Sequence, residues 1–479
     1  MVPVLLACLK GTLSKRFLGY ARNDSRVDAI NQRKVRFIIK MKRIFYVLMV
    51  VLGCLSCEDD EKFSSGSGMR LDFEVDTLKL DTVFSNTPSS TYVFWVHNRQ
   101  DSGLRLQTVR LKKGNQTGFR VNVDGIYLDN SNGSQTSNVE IRRKDSLLVF
   151  VELTAQTAHQ LEPKLVEDDL LFIQENGTEQ AVNLRAWAWD AKKLYDPVIE
   201  KDSVMESDMP LVIYGNLTVK AGVTLTLKHT SLFFHDQSGM EVAGTLKMED
   251  CELRGDRLDR MFDYLPYDRV SGQWNGLHFL ASSTANELTA SVIRNTMDGV
   301  VMDQATQETA DERLLMTHCV VHNCQGDGVR TTGAKIRLDH CQLTNTNGDC
   351  LKVIGGEAEV SYCTIAQFYP FDAARGKAIR FVNDQASPLK RFVCDGTIAT
   401  GYEEDVVEGE QITEAVAFSF RNSLLRMPAE TGSQFEDIIW ESPADEIEGT
   451  KQFVKIDEEK QDYDFHLSEQ STAKGKGCY

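Results

Sequence analysis

His318-Cys319-Val320-Val321-His322-Asn323-Cys324-Gln325-Gly326-Asp327-Gly328-Val329-Arg330 is followed by His340-Cys341-Gln342-Leu343-Thr344-Asn345-Thr346-Asn347-Gly348-Asp349-Cys350-Leu351-Lys352. The second stretch repeats the first at a step of 22 residues, and Tyr362-Cys363 opens a third copy. A fixed period in this range marks stacked units that bury their apolar faces only against one another. Each unit is mostly short strand, so equivalent residues should stand about 4.8 Å apart, the spacing of hydrogen-bonded strands. The repeat predicts an all-β solenoid, a parallel β-helix, over residues 210–426.

Working outward, further coils are expected at Val212–Leu232, Met240–Glu252, Leu288–Met302, Leu314–Arg330, Ile336–Val353 and Ala358–Phe368. The coil at Ser291-Val292-Ile293-Arg294-Asn295 is offset from that at Cys319 by 28 residues, so about six are inserted near Asp303–Arg313. This pattern resembles the right-handed parallel β-helix domain, the architecture of pectate lyases and polygalacturonases. The tail Asp464-Phe465-His466-Leu467 with Ser471–Gly477 is typical of such proteins, which makes 427–479 an extension and end cap. In relatives that tail runs on for another short stretch, so the cap is expected to be incomplete and to leave a β edge exposed.

The shared slot of Cys319, Cys341 and Cys363 reads as an interior row of free thiols acting as small hydrophobes. Eleven cysteines in 479 residues are not a disulfide framework. A zinc site from His318, Cys319, His340 and Cys341 is disfavoured, because adjacent residues of a strand point to opposite faces. Asn323 and Asn345 read as an amide ladder, each bonding the next. Asp327 with Asp349, and Arg330 with Lys352, form acid and base rows. Stacked carboxylates repel and can invite calcium, which needs six to eight oxygen ligands. A lyase would add a base to take the proton α to a uronate carboxyl, a role open to Arg330 or Lys352. The alternative is charge-neutralising ladders on a solvated turn. Polygalacturonases also carry Gly-His-Gly and Arg-Ile-Lys motifs, and neither occurs here.

One stretch breaks the period: Gly255-Asp256-Arg257 through Asp263-Tyr264-Leu265-Pro266-Tyr267-Asp268 to Gly272-Gln273-Trp274-Asn275-Gly276. It resembles a signature of surface β-helix lipoproteins. Long loops on a rigid scaffold commonly carry function, so Tyr264, Tyr267 and Trp274 are candidate binding residues. The competing reading is a loop that packs its own aromatics over the first coils.

Residues 70–191 show short alternating strands with turn signals such as Asp124-Gly125 and Asn176-Gly177. About seven strands in that length fit an immunoglobulin-like β-sandwich. Leu80-Asp81-Thr82-Val83-Phe84, Phe119–Gly125 and Asp145–Val151 resemble the N-terminal sandwich of a group of surface lipoproteins. Trp187 and Trp189 are expected in packing rather than on a sugar platform. Residues 192–209 are expected to be a linker.

The N-terminus is basic. Residues 1–56 hold 11 Lys/Arg against two Asp, +9, which leaves −17 − 9 = −26 for the remainder. So acidic a body argues against a nucleic-acid partner. Met41-Lys42-Arg43, the apolar run Ile44–Leu52 and Gly53-Cys54-Leu55-Ser56-Cys57 make 41–56 a signal peptide whose apolar run is too short to span a bilayer. The small-residue–Cys pairs resemble the lipobox of bacterial lipoproteins. That resemblance implies lipidation at Cys57, with Cys54 the alternative, and the acidic Glu58-Asp59-Asp60-Glu61 resembles a surface-export signal of Gram-negative lipoproteins. Residues 1–40 would then be an upstream mis-call, and 57–69 a flexible Ser/Gly tether. The expected protein is a lipid-anchored outer-membrane protein at the cell surface, held to the membrane by its acyl chains. Two functions follow from the sequence: non-enzymatic binding of a polysaccharide, envelope or host partner, or a polysaccharide lyase or glycoside hydrolase acting on acidic glycans.

Overall fold

The computed structural model describes residues 62–66, 68–262, 264–306, 311–414 and 416–479. The signal peptide, Cys54 and Cys57 lie outside the described residues. Phe63–Gly66, expected as free tether, lies on the first domain. Ser64 N donates to the Gly103 carbonyl at 2.9 Å, Asn176 Nδ2 reaches the carbonyls of Ser65 and Gly66, and Arg105 sits 4.9 Å over the Phe63 ring. A single large apolar residue in a Ser/Gly run is enough to dock it.

The first domain is a sandwich of two five-stranded sheets. One runs Asp72–Phe73, Tyr92–His97, Ser146–Leu153, Phe119–Val123, Ile126–Tyr127; the other Thr77–Phe84, Glu179–Trp189, Lys164–Gln174, Leu104–Leu111, Gln135–Ile141. The extra strands over the expected seven are short or edge segments without strong alternation. Period-two patterning builds the core: Leu147, Val149, Val151 and Leu153 face inward from one strand and meet Leu170, Phe172, Val182 and Leu184 from the other sheet.

The second domain is a parallel β-helix. Three long sheets of eleven, nine and ten strands are visited in rotation. The first runs from Lys192–Tyr195 to Ile439–Trp440, the second from Val198–Ile199 to Val407–Glu410, the third from Ser203–Glu206 to Phe435–Glu436. The stretch expected as a linker is therefore the first coil. Lys192–Tyr195 pairs in parallel with Leu211–Tyr214, and Ser203–Glu206 with Leu225–Lys228. Its outward charges hid it, because an end coil has solvent on one side.

The 22-residue step is the register itself: Val320 pairs with Gln342 and Gln342 with Thr364, while Val292 pairs with Val320 across the inserted residues. Cys319, Cys341 and Cys363 are buried in the core with free thiols. His318, His340 and Tyr362 occupy the corner before each first-sheet strand, in the left-handed region (φ 53°, 50° and 49°), and stack outside at 5.0 and 5.1 Å. The backbone turn at that corner, rather than alternation along a strand, sends thiol and imidazole apart.

The two domains meet through the period-breaking loop. Arg260 forms a two-pronged ion pair with Asp81 at 2.5 and 2.6 Å, and Arg257 reaches Ser90 Oγ. Phe84 packs on Trp189 and Phe233 beside it, ring centroids 6.0 and 5.0 Å apart. Trp189 is thus interdomain packing, as expected, whereas Trp187 is exposed.

Within 427–479, Phe435–Glu436 and Ile439–Trp440 add the last strands of the third and first sheets, the expected extension, and the chain then turns back from the end of the solenoid. An antiparallel hairpin, Phe453–Asp457 with Asp462–Leu467, folds back along the side of the first sheet. There Phe453, Phe465 and Ala473 cover Ala366, Phe368, Ile398 and Leu424. The anchor is a buried polar network: Glu441 accepts from Gln452 Nε2 at 2.7 Å, pairs with Arg426 and receives the Thr400 hydroxyl.

Candidate functional site

The outward face of the first sheet changes character along the solenoid. Late coils present Ala366, Ile398 and Leu424 and are roofed by the hairpin. Earlier coils, in the same registered rows, present Arg294, His322, Thr344, Val320 and Gln342. An apolar row asks for a cover and a polar one does not, so the hairpin seals the late coils and overhangs the early ones. The overhang makes a cleft of about 620 Å³, inside the range of about 300–1,000 Å³ usual for small-ligand sites. Sheet residues Arg294, His322, Asn323, Gln342 and Asn345 floor it. Tyr463, Phe465 and Tyr479 form one wall, and Asp268, Arg269 and Pro370 the other. The latter come from two insertions, 256–276 and 368–378, that leave the helix at the same corner, between first and second sheets.

Asn295, Asn323 and Asn345 occupy that corner, all in the left-handed region at φ 63°, 59° and 56°, where asparagine is tolerated best after glycine. The ladder expected of Asn323 and Asn345 does not form. The left-handed turn points the amides sideways instead of along the stack. Asn345 is 1% exposed, yet both its Nδ2 and its Oδ1 lack a hydrogen-bond partner; Asn323 Nδ2, Gln461 Oε1 and the Tyr463 hydroxyl are likewise unpartnered. Over 90% of buried polar groups in folded proteins are bonded, so such a cluster around one cleft calls for an explanation. His322 holds Thr344 Oγ1 with Nδ1 at 2.8 Å and meets the Tyr463 and Phe465 rings edge to face at 5.9 and 6.2 Å. Burial, with Arg294 nearby, pulls its pKa down to about 4, so the imidazole is neutral at pH 7. Tyr479, at the far end of the chain, donates its hydroxyl to Gln342 Oε1 at 2.8 Å.

The acid and base rows lie around the corner, on the second sheet, and serve the stack. Asp298 Oδ1 accepts from Asp327 N at 2.9 Å, Asp327 Oδ1 from Asp349 N at 2.8 Å, and Asp349 Oδ1 from Lys377 N at 2.7 Å. Each carboxylate caps the next coil, and its second oxygen takes a cation. Arg330 spans Asp298 and Asp327 at 2.9 and 3.5 Å, while Asp349 holds Arg380 at 2.8 Å and Lys352 at 3.2 Å. Burial is the main reason Asp327 titrates above the ordinary carboxylate range. Asp327, Asp349, Arg330 and Lys352 are thus ladder residues, and the oxygens that calcium would need are already engaged. Among the described residues no three His, Cys, Asp or Glu converge as a metal site. The glycine after Asp327 has a packing reason: a Cβ on Gly328 would stand 2.5 Å from the Cys350 carbonyl.

Asp349→Ala removes three partners of a buried carboxylate and is expected to cost about 3–5 kcal/mol, read as a lower denaturant midpoint. A catalytic Asp349 would instead lose turnover at unchanged stability.

The three aromatic candidates part company. Trp274 is fully buried, stacked on Phe234 at 4.1 Å with Nε1 donating to the Arg294 carbonyl at 2.9 Å, and so is core. Tyr267 lies under the Arg257 guanidinium at 4.0 Å, in the interdomain joint. Tyr264 alone is exposed, at 70%, beside Phe262. They form no common patch. Of the cleft's residues the repeat points to Asn323 and Asn345, though as a ladder; the walls come from segments whose position no repeat specifies.

No protein-family model matches the chain, and no curated protein matches it. Solved structures with some likeness include the Agl-KA catalytic domain (12% identity over 73% of each chain, TM-score 0.31). A mutant of a periplasmic alginate epimerase is 7% identical over 51% of this chain and 79% of its own, TM-score 0.26. A family 123 glycoside hydrolase from Clostridium perfringens is 7% identical over 27% of this chain and 26% of its own, TM-score 0.18. The chain thus spans about a quarter of that hydrolase. Likeness of this degree carries no argument about site or activity, and the β-helix assignment rests on the strand pairing described above.

Proposed function

We propose that this protein is a non-enzymatic glycan-binding protein displayed at the surface of a Gram-negative outer membrane, lipid-anchored through Cys57, with an immunoglobulin-like sandwich as the spacer below a right-handed β-helix. The observation that carries the binding role is the Asn345 amide, buried in the cleft with donor and acceptor both free. Sugar hydroxyls donate and accept at once and so suit side-chain amides. The Tyr463, Phe465 and Tyr479 rings of one wall offer apolar surface to the C–H face of a pyranose. Against catalysis stands the use of every carboxylate in the acid row by backbone N–H groups and cations.

The test is retention of the full chain on a panel of immobilised neutral and acidic polysaccharides, with absorbance of unsaturated products and release of reducing ends followed in parallel. Retention without turnover, weakened at least tenfold in Asn345→Ala, is the expected result. Turnover would establish the lyase or hydrolase reading, and a protein that no polysaccharide retains would remove the proposal. Intact mass of the membrane-extracted protein tests the anchor separately, as an acylated chain beginning at Cys57.

A further inference from the structure

The cleft holds ionised groups, but each is answered within the protein. Asp268 pairs with both Arg254 and Arg294 at 2.7 Å, and Arg294 also holds Glu252. Asp462 is taken by Lys455, and Asp464 by His466 Nδ1 at 2.6 Å. Arg269 donates to the Lys460 carbonyl, and the Lys455 hydrogen bond, with a smaller contribution from Arg269, holds Asp462 below its ordinary range. The formal sum of Arg269 and Arg294 against Asp268, Asp462 and Asp464 is +2 − 3 = −1, with His322 neutral.

Arg294 Nε and Asp268 Oδ1 lack a hydrogen bond but belong to side chains already held in ion pairs. The other groups the cleft leaves unanswered are uncharged: the two ends of the Asn345 amide, Asn323 Nδ2, Gln461 Oε1 and the Tyr463 hydroxyl. A carboxylate or sulfate brought here would find no free cation. It would also lose its hydration and meet three acidic side chains at close range. Recognition of acidic polymers uses guanidinium forks held open for them; here Arg294 spends both terminal nitrogens on Asp268 and Glu252, and Arg269 gives Nη1 to the Lys460 carbonyl. The acidic body, −26 beyond residue 56, opposes a polyanion at longer range as well.

We infer that the cleft between the C-terminal hairpin and the first sheet selects an uncharged saccharide, bound through hydroxyl or acetamido groups to Asn323, Asn345 and Tyr463. The inference rests on the glycan-binding reading and narrows it, excluding uronates and sulfated sugars as the preferred ligand. It also gives the hairpin a role beyond covering apolar strands, since Tyr463 and Gln461 belong to the hairpin and the asparagines to the helix.

The experiment is titration calorimetry of the full chain with oligosaccharides of matched length at two salt concentrations. The ligands are neutral hexose oligomers, N-acetylglucosamine oligomers and oligogalacturonates. At least one neutral or N-acetylated oligomer is expected to bind at least tenfold more tightly than the uronate, with affinity unchanged by salt. Tyr463→Phe, which keeps the ring and the fold, should weaken it three- to tenfold, and Asn345→Ala more. Tighter binding of the uronate, or affinity that falls with salt, overturns the inference while leaving glycan binding in place. Neutral binding unaffected by both substitutions also overturns it, by placing the site elsewhere. Failure of all three ligand classes removes the glycan-binding reading itself, and the inference with it.

Discussion

Trp274→Ala is expected to lower stability by about 3–5 kcal/mol, the range for a fully buried large aromatic. The indole is 0% exposed and lies flat on Phe234, 4.1 Å between centroids with an interplanar angle of 8°. It fills the coil from which the 256–276 loop departs and belongs to the same core as Leu253, Leu277 and Ile293, so its removal opens a cavity beside Phe234. Nothing small can refill that space, because the rungs above and below are held by strand pairing. Trp274→Phe keeps a stacking ring and loses the hydrogen bond to the Arg294 carbonyl, and a smaller loss of about 1–2 kcal/mol is expected. Tyr264→Ala should fall within about 0.5 kcal/mol of the parent, as surface changes do. Equilibrium denaturation of the three variants decides the matter. A Trp274→Ala protein of parental stability that had lost glycan binding would restore the aromatic-patch reading.

The second large effect is expected at Arg313, a guanidinium only 1% exposed. It donates to the carbonyls of Asp303 at 2.7 Å, Ser283 at 3.0 Å, Leu280 at 3.2 Å and Ala281 at 3.5 Å. Those carbonyls belong to corners where the chain leaves the strand ladder; Leu280 also accepts from Ser283 N at 2.8 Å, and the others look to the guanidinium. Arg313→Met fills most of the volume but strands several buried acceptors, each costing about 1–3 kcal/mol. Relief of the buried charge offsets part of this. A net loss of about 3–5 kcal/mol is expected, measured as a shift of the denaturant midpoint. Arg313→Lys should recover little, because one ammonium cannot span four acceptors that a planar fork reaches. A variant Arg313→Met within 1 kcal/mol of the parent would show that the corner rearranges to satisfy itself.

These two side chains show where reading the sequence stops. Arg313 follows an insertion and precedes a strand, the position of an ordinary solvated arginine. Its burial depends on the Asp303 carbonyl and on those of Leu280, Ala281 and Ser283, far earlier in the chain. Trp274 sits in a loop full of exposed-looking aromatics, and only the parallel bridge from Trp274 to Thr296 turns it inward. The acid row was legible as a ladder, since its period matched that of the strands. Whether it was a site or a brace depended on which N–H each oxygen met. Residues 192–209 lacked the full alternation of a coil because the first rung has a neighbour on one side only.

The 22-residue step determined the solenoid, its interior cysteines and the corners at which insertions leave it. A repeat specifies nearest neighbours, and burial in a stack of strands is a nearest-neighbour property. The cleft is a different kind of object. Gln342 meets Tyr479 across 137 positions of sequence, and His322 meets Tyr463 across a similar span. Such contacts carry no period, because they form between the solenoid and a hairpin that returns along it. Tertiary structure alone decided that the asparagine rows face a wall instead of each other, and with that decided where a ligand can bind.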